Sequence, residues 1–330
     1  MKHIYILFFL FSFSIFSQSH SFYTKPDTLE IKSSVFKKNR KITISKPLNY
    51  NKINTSKHCV LYTDANDEEI TATVLQSANN LYLYDEIPQS ILIGIIHEDR
   101  NKELTEKENL EKFIVDEVLP FLKKKYNVMD KMTLIGHSFG GYFMTNLFLD
   151  YNDKFNSCIV ISPAYWPNDG DVQTKLLTTD ALKGNLYLAI GDRRWDDISI
   201  KKYYDLFVTE INTRNFKDLR FKNQLLEGFS HNSTPTIGIP SGLNFCFDAW
   251  EWNYIVEEQN QRIKAFPDFW RHYKLKAEAL ENLNKNKEAL EVYKQCLEKI
   301  DQDREITKLE KKYVVKRLKK KIKYLQNKTN

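Results

Sequence analysis

Short runs of β-branched and aromatic residues alternate with amphipathic stretches along most of the chain. Residues 41–45 (KITIS), 59–62 (CVLY), 90–96 (SILIGII), 132–135, 157–161 (SCIVI) and 186–190 (LYLAI) read as strands, and 220–226 as a weaker one. Several runs are apolar without alternation, the pattern of strands covered on both faces in a parallel sheet. Between them lie helical periods. Leu110, Phe113, Ile114, Val118, Phe121 and Leu122 fall on one helical face, with Pro120 expected to kink it. Residues 142–151 and 200–213 give two further helices. Strand–helix alternation over about 200 residues implies a three-layer α/β fold. The stretch from Leu29 to Ser45 has no intervening helix and predicts an antiparallel edge.

The pattern changes near residue 258. No glycine follows Gly242, and residues 268–282, 285–299 and 304–326 read as three helices. Trp270, Tyr273, Ala277, Leu280, Ala289, Tyr293 and Cys296 stand at spacings resembling a single tetratricopeptide repeat, with an ordinary α-hairpin as the alternative. One repeat cannot bury its own face, so the third helix or the α/β body must cover it. At the other end, Lys2 precedes an apolar run from Ile4 to Phe16 that exits through Ser17-Gln18-Ser19. Thirteen residues are short of the ~20 that span a bilayer. The layout is that of a secretory signal peptide. The expected organisation is therefore a signal over 1–20, an α/β domain over 21–258 and a helical segment over 259–330, in a protein exported to the periplasm or the exterior. An exported chain permits disulfides. Yet Cys59, Cys158, Cys246 and Cys296 fit no metal or redox spacing, and free buried thiols are expected.

Hydrophobic residues make up 42% of the 330 and aromatics 13%, which supports a sizeable core and excludes a disordered or collagen-like chain. The formal charge of +6 raises the question of an anionic partner. Residues 301–330 alone hold eleven Lys+Arg against four Asp+Glu, a net +7, so the rest of the chain is at −1. Nucleic-acid binding by the α/β body therefore has no compositional basis. Val314, Val315, Leu318, Ile322 and Leu325 form an apolar stripe through the basic helix. It is expected to dock by that stripe and solvate its lysines, with binding to an anionic membrane surface or an acidic partner as the minor alternative.

The candidate chemistry centres on Gly136-His137-Ser138-Phe139-Gly140-Gly141, placed between a strand and a helix. This is G-x-S-x-G in the context of a nucleophile elbow. The flanking glycines keep side chains out of a tight turn, Ser138 is lifted above the sheet edge, and the Phe139 N–H is aimed to stabilise an oxyanion. A serine hydroxyl needs a base, and in this fold base and acid follow the nucleophile in the order acid, then His. His231, in a polar loop after a strand, is the base; His272 lies in the helical segment, and His58 and His97 precede the serine. The acid is expected after the strand 186–190, where Asp192, Asp196 and Asp197 follow Gly191. Composition and spacing do not choose among the three.

From about Thr28 to Trp252 the chain resembles the esterase D-type family of the α/β-hydrolase fold, which includes enterochelin-type siderophore esterases and feruloyl-type carbohydrate esterases. Besides the elbow, the likeness is carried by residues 42–50 (ITISKPLNY), 60–65 (VLYTDA), 93–105 (IGIIHEDRNKELT) and 161–166 (ISPAYW). It implies Ser138 as nucleophile, His231 as base, and a second oxyanion donor in the backbone after VLYTD, at Ala65, where the family has Gly. The family's acid stands third after the glycine that ends its strand, a place held here by Arg194. This departure moves the expectation to Asp196, with Asp192 and Asp197 as alternatives. Glu103 stands where the family has Asp.

These readings give a serine carboxylic-ester hydrolase that works through an acyl-enzyme and needs no metal or organic cofactor. Its substrate would be a small-molecule or carbohydrate-linked ester. Tyr165, Trp166 and Trp195 are expected either to line the pocket or to pack in the core and rim. A non-catalytic binding module on the same scaffold, or an acyltransferase using the same nucleophile, are the alternatives.

Overall fold

The computed structural model describes residues 21–48, 50, 57–84, 86–130, 132–303 and 306–329. The segment read as a signal peptide lies outside them. Eight strands form one sheet in the order β1-β2-β4-β3-β5-β6-β7-β8. β1 (Asp27–Ser33) and β2 (Lys38–Ser45) make the expected antiparallel edge, and β2 also runs antiparallel to β4 (Ser90–Ile95). The other pairs, through β3 (His58–Tyr62), β5 (Met132–His137), β6 (Phe155–Ile161), β7 (Lys183–Arg193) and β8 (Asp218–Ser230), are parallel.

Successive strand side chains point to opposite faces, and the sheet uses both. On β6, Cys158 and Val160 enter one core while Ile159 and Ile161 enter the other; on β7, Leu186, Leu188 and Ile190 oppose Tyr187 and Ala189. One face is covered by α1 (Glu68–Leu83) and α8 (Thr234–Ala265). The other is covered by α2 (Arg100–Glu106), α3 (Glu108–Lys112), α4 (Leu119–Tyr126), α5 (Phe139–Asp150), α6 (Pro167–Thr178) and α7 (Trp195–Arg214). This is the expected three-layer α/β sandwich. Around Pro120 the expected kink takes a specific form. A π-helical turn, Phe113–Val118, sits between α3 and α4, where proline cannot supply the amide of a regular ladder.

α8 runs unbroken through residue 258 to Ala265 and leads into α9 (Trp270–Asn282), α10 (Asn286–Gln302) and α11 (Lys308–Thr329). These helices share a third core containing Trp270, Ala277, Tyr293 and Cys296. Leu318 and Leu325 of α11 close it, with Val256 and Ile263 of α8 packed alongside. The four cysteines are free and buried.

One polar cluster is built into the edge. Arg40 on β2, 1% exposed, forks onto Glu103 of α2 at 2.6 and 2.8 Å, and Glu103 also meets His97 Nδ1 at 3.1 Å. Burial alone would raise the Glu103 carboxyl, but hydrogen bonds from His97 and Arg40 and their charges hold it down to about 2. Removing one partner of a buried ion pair strands the other charge, at a cost of about 3 kcal/mol or more. Glu103→Gln is thus expected to lower unfolding stability in urea by roughly that amount. A change under about 0.5 kcal/mol would show that Arg40 is compensated elsewhere.

Candidate active site

The residues singled out in the sequence meet at the carboxyl ends of the parallel strands, the edge where open α/β sheets bind ligands. Ser138 follows β5 directly and precedes α5, with φ 58° and ψ −121°. A non-glycine residue rarely adopts this conformation. It is held by Ser138 N–H donating to Ile161 O (3.0 Å) and by Tyr142 and Ala164 N–H donating to Ser138 O (both 3.1 Å). Gly136 explains part of the motif: a Cβ there would stand 2.2 Å from Gly140 O. Phe139 is the first residue of α5, so its amide belongs to the first turn, where N–H groups have no intrahelical acceptor.

His231 lies just past the end of β8. Its ring sits 4.6 Å from that of His137, the residue before the elbow serine. Its Nδ1 donates to Asp197 Oδ1 at 2.8 Å, which leaves Nε2 unprotonated in the neutral ring and able to accept a proton. Ser138 Oγ makes no hydrogen bond among the described residues. Such contacts often tighten only when substrate arrives.

The acid expectation is corrected at this point. Asp197, one of the two alternatives to Asp196, meets His231. The chain leaves β7, passes Arg194 at φ 69° and enters α7 at Trp195, so the residue that turns inward lies in the first turn of the helix. Asp197 is fully buried and its other oxygen accepts from Gly191 N–H (2.8 Å) and Ser162 Oγ (3.2 Å). Any side chain at Gly191 would block this approach, since its Cβ would stand 2.3 Å from Asp197 Oδ2. Asp192 is exposed and accepts from Gly228 N–H at 2.7 Å, bracing β8.

The His231 backbone is braced as well. Its carbonyl accepts from Thr234 Oγ1 (2.7 Å) and from His137 Nε2 (3.0 Å), and Thr234 Oγ1 lies 2.9 Å from Ser162 Oγ. Ser162 and Thr234 have one hydroxyl proton each for the contacts to Asp197, to each other and to His231 O. His137 is the donor that the carbonyl keeps in every arrangement. Ser162 lies in the ISPAYW stretch, which assigns it no role, no sequence signal marks Thr234, and His137 is expected to pack or hydrogen-bond locally, as it does.

One other expectation is also corrected, and the two readings of Tyr165 are separated. The Ala65 N–H donates to Ile95 O at 2.9 Å and is not free to hold an oxyanion. The preceding residue, Asp64, has φ 66° and no described acceptor for its N–H. Its carboxylate is clamped by Arg100 at 2.5 and 3.1 Å and lies 2.8 Å from where a Gly140 Cβ would be. Tyr165 is core, not pocket: it is fully buried, bonds Thr145 through its hydroxyl (2.8 Å) and packs on Phe207. Trp166 is 47% exposed and stands edge-on to Phe139 at 5.4 Å, whereas Trp195 is 76% exposed with no described ring contact. Among the described residues no group of three His, Cys, Asp or Glu is gathered as a metal site.

Elbow, histidine and buried aspartate on the carboxyl edge of this sheet define an α/β-hydrolase arrangement. The chain belongs to the family described as "Putative esterase", whose model matches residues 33–305. Among solved structures it is similar to an IroE-like serine hydrolase from Shewanella oneidensis (TM-score 0.64, 15% identity, 82% of this chain and 99% of that one). It is also similar to an uncharacterised protein from Capnocytophaga ochracea (TM-score 0.61, 15% identity, 92% and 100%). The ferric enterobactin esterase of Salmonella typhimurium matches at a TM-score of 0.59 and 17% identity, over 69% of this chain and 59% of that one. Among curated proteins none matches the sequence.

The His137 ring is pushed down to about 4, chiefly by burial and then by the neighbouring His231. Between pH 6.5 and 4 the unfolded chain therefore binds a proton that the folded one refuses, and stability falls as the pH drops. His137→Gln keeps a donor for His231 O and removes this titration. Its stability loss from pH 7 to 4.5 in urea should be smaller than that of the wild type by up to about 2 kcal/mol. His58 and His272 are also lowered by burial, so the difference between the two proteins is the informative quantity. Equal losses would mean that His137 titrates normally.

Proposed function

We propose that the protein is a serine esterase in which Ser138, His231 and Asp197 form the catalytic triad. The observation that carries this reading is the His231–Asp197 bond: a fully buried carboxylate fixes the histidine as the tautomer that can take a proton from Ser138. Family membership supports ester hydrolysis as the activity class.

In this reading Ser138 Oγ attacks the ester carbonyl as its proton passes to His231 Nε2. The oxyanion is held by the Phe139 N–H and, in place of Ala65, by the Asp64 N–H. Asp197 stabilises the imidazolium, which protonates the departing alcohol. Water then attacks the acyl-serine through the same base and releases the acid. Trp166 beside Phe139 forms one wall of the acyl site. The departure at Arg194 is one motive for the alternative of a non-catalytic scaffold; an acid from the first turn of α7 answers it.

The substrate is a small-molecule or carbohydrate-linked ester, the former supported by fold-level similarity to a siderophore hydrolase of Aspergillus nidulans and to the ferric enterobactin esterase. Export is supported by the layout of residues 1–20. No helix among the described residues is long and apolar enough to cross a membrane.

Turnover of p-nitrophenyl acetate and butyrate tests the assignment. Ser138→Ala should abolish it. Asp197→Asn should lower kcat by about 10⁴-fold, while Asp196→Asn and Asp192→Asn should stay within about threefold of wild type. Equal activity of Ser138→Ala and wild type would sink the esterase reading. An Asp196→Asn variant slower than Asp197→Asn would sink the acid assignment.

A further inference from the structure

α9, α10 and α11 enclose a groove of about 480 Å³ that the esterase chemistry does not use. Its floor is apolar, from Val314 and the buried Leu318. Tyr313 and Tyr324, 69% and 55% exposed, line it from positions far apart along α11. The acidic groups around it are already neutralised within the fold: Glu278 pairs with Lys274 at 2.9 Å, and Glu281 pairs with Lys321 at 2.5 Å. The cations that remain on its wall, Arg317 and Lys320, have no ion-pair partner among the described residues. The same helix carries Lys312, Lys316, Lys319 and Lys323, also without one.

We infer that this groove is a docking site for an acidic, extended peptide segment of a partner protein. The uncompensated charge on the wall is of one sign, so the complementary ligand is anionic. The apolar floor adds that it brings a hydrophobic side chain, and tyrosines are the residues that give such contacts low-entropy area. The spacing sets a length. Eleven residues of helix separate Tyr313 from Tyr324, about 16 Å at 1.5 Å per residue, which an extended chain covers in about five residues. A concave site between helices suits an inserted chain better than a flat bilayer does. The site is independent of the catalytic one, because it rests on the core of the helical segment and not on either core of the sheet.

The test uses the full-length protein and a fluorescein-labelled peptide, Asp-Glu-Glu-Phe-Glu-Asp-Glu-Glu, followed by anisotropy at 50 mM and 150 mM salt. Comparison ligands are the same peptide with Ser for Phe, a version with Lys for each acid, and vesicles of equal phosphatidylglycerol and phosphatidylcholine. The acidic Phe peptide should bind with a dissociation constant of tens of micromolar, and the Ser and Lys versions about tenfold or more weakly. Arg317→Glu with Lys320→Glu, and separately Tyr313→Ala with Tyr324→Ala, should each weaken it about tenfold. All four side chains are on the surface, so thermal unfolding and ester turnover should not change. The tyrosine pair is the decisive variant, since it leaves the charge intact. Peptide binding that survives the tyrosine change means simple charge attraction to α11 and overturns the proposal. So do equal binding of the Phe and Ser peptides, tighter binding to the vesicles than to the peptide, and no binding at all.

Discussion

The carboxylate of Asp197 is fully buried, and an ion in that position is stable only when its oxygens are hydrogen-bonded. The fold supplies three donors from three places: His231 after β8, the Gly191 amide at the end of β7, and Ser162 just past β6. Meeting these demands fixes three strand ends relative to one another. It also fixes which face of the imidazole looks toward the elbow. The placing of the His231 ring beside the elbow is therefore a consequence of how a buried carboxylate is hydrogen-bonded by protein groups in place of water.

Conformations that cost energy gather along the same edge. Ser138, Ser162, Asp64 and Arg194 all have positive φ without being glycine. Each such residue costs on the order of 1 kcal/mol or more and persists only where its surroundings leave no alternative. The surroundings here are specific. Ser138 is bonded through both backbone groups, Ser162 N–H donates to Ala189 O at 2.7 Å, and Asp64 is clamped by the Arg100 fork. The Arg40–Glu103–His97 cluster stands behind that fork, with His97 Nε2 3.8 Å from Asp64 Oδ1. A chain of polar side chains thus runs from the antiparallel edge to the loop beside the elbow. It is the same device as the Asp197 network, used on the opposite side of the site.

This explains what could be read in the sequence and what could not. Strand identity was legible because both faces of the sheet are covered, so runs such as SCIVI have no polar alternation. The elbow was legible because a glycine is sterically required at Gly136 within three residues of Ser138. His231 followed from chain order. Which aspartate meets His231 was not legible, because one of the three lies at the end of β7 and two are consecutive in the first turn of α7, where a helix rotates neighbouring residues by about 100°; which one faces inward depends on where α7 starts. The start is set by the Arg194 conformation, a backbone property that the family's residue pattern does not encode. Gly191 was the available clue, since its missing Cβ makes room for the Asp197 carboxylate. Ala65 failed for a similar reason. Whether an amide faces a ligand or a neighbouring strand is decided by pairing with Ile95, and a slip of one residue along the chain exchanges the two roles.

Charge divides the molecule along the same line as its cores. Residues 1–258 carry −4, while residues 259–330 carry +10, of which +7 lies in residues 301–330. The apolar stripe predicted for the last helix is present, since Leu318 and Leu325 are buried in the third core. A stripe that narrow would be satisfied by alanine, glutamine and glutamate on the outer face, residues of good helix propensity that cost nothing in solubility. Like charges at neighbouring helical positions instead repel one another, by a few tenths of a kcal/mol per pair. A run of unpaired Lys and Arg flanked by exposed tyrosines is thus less stable than the packing alone requires. Folding of the helix accounts for its buried side and leaves the composition of its exposed side to be explained by something outside the chain.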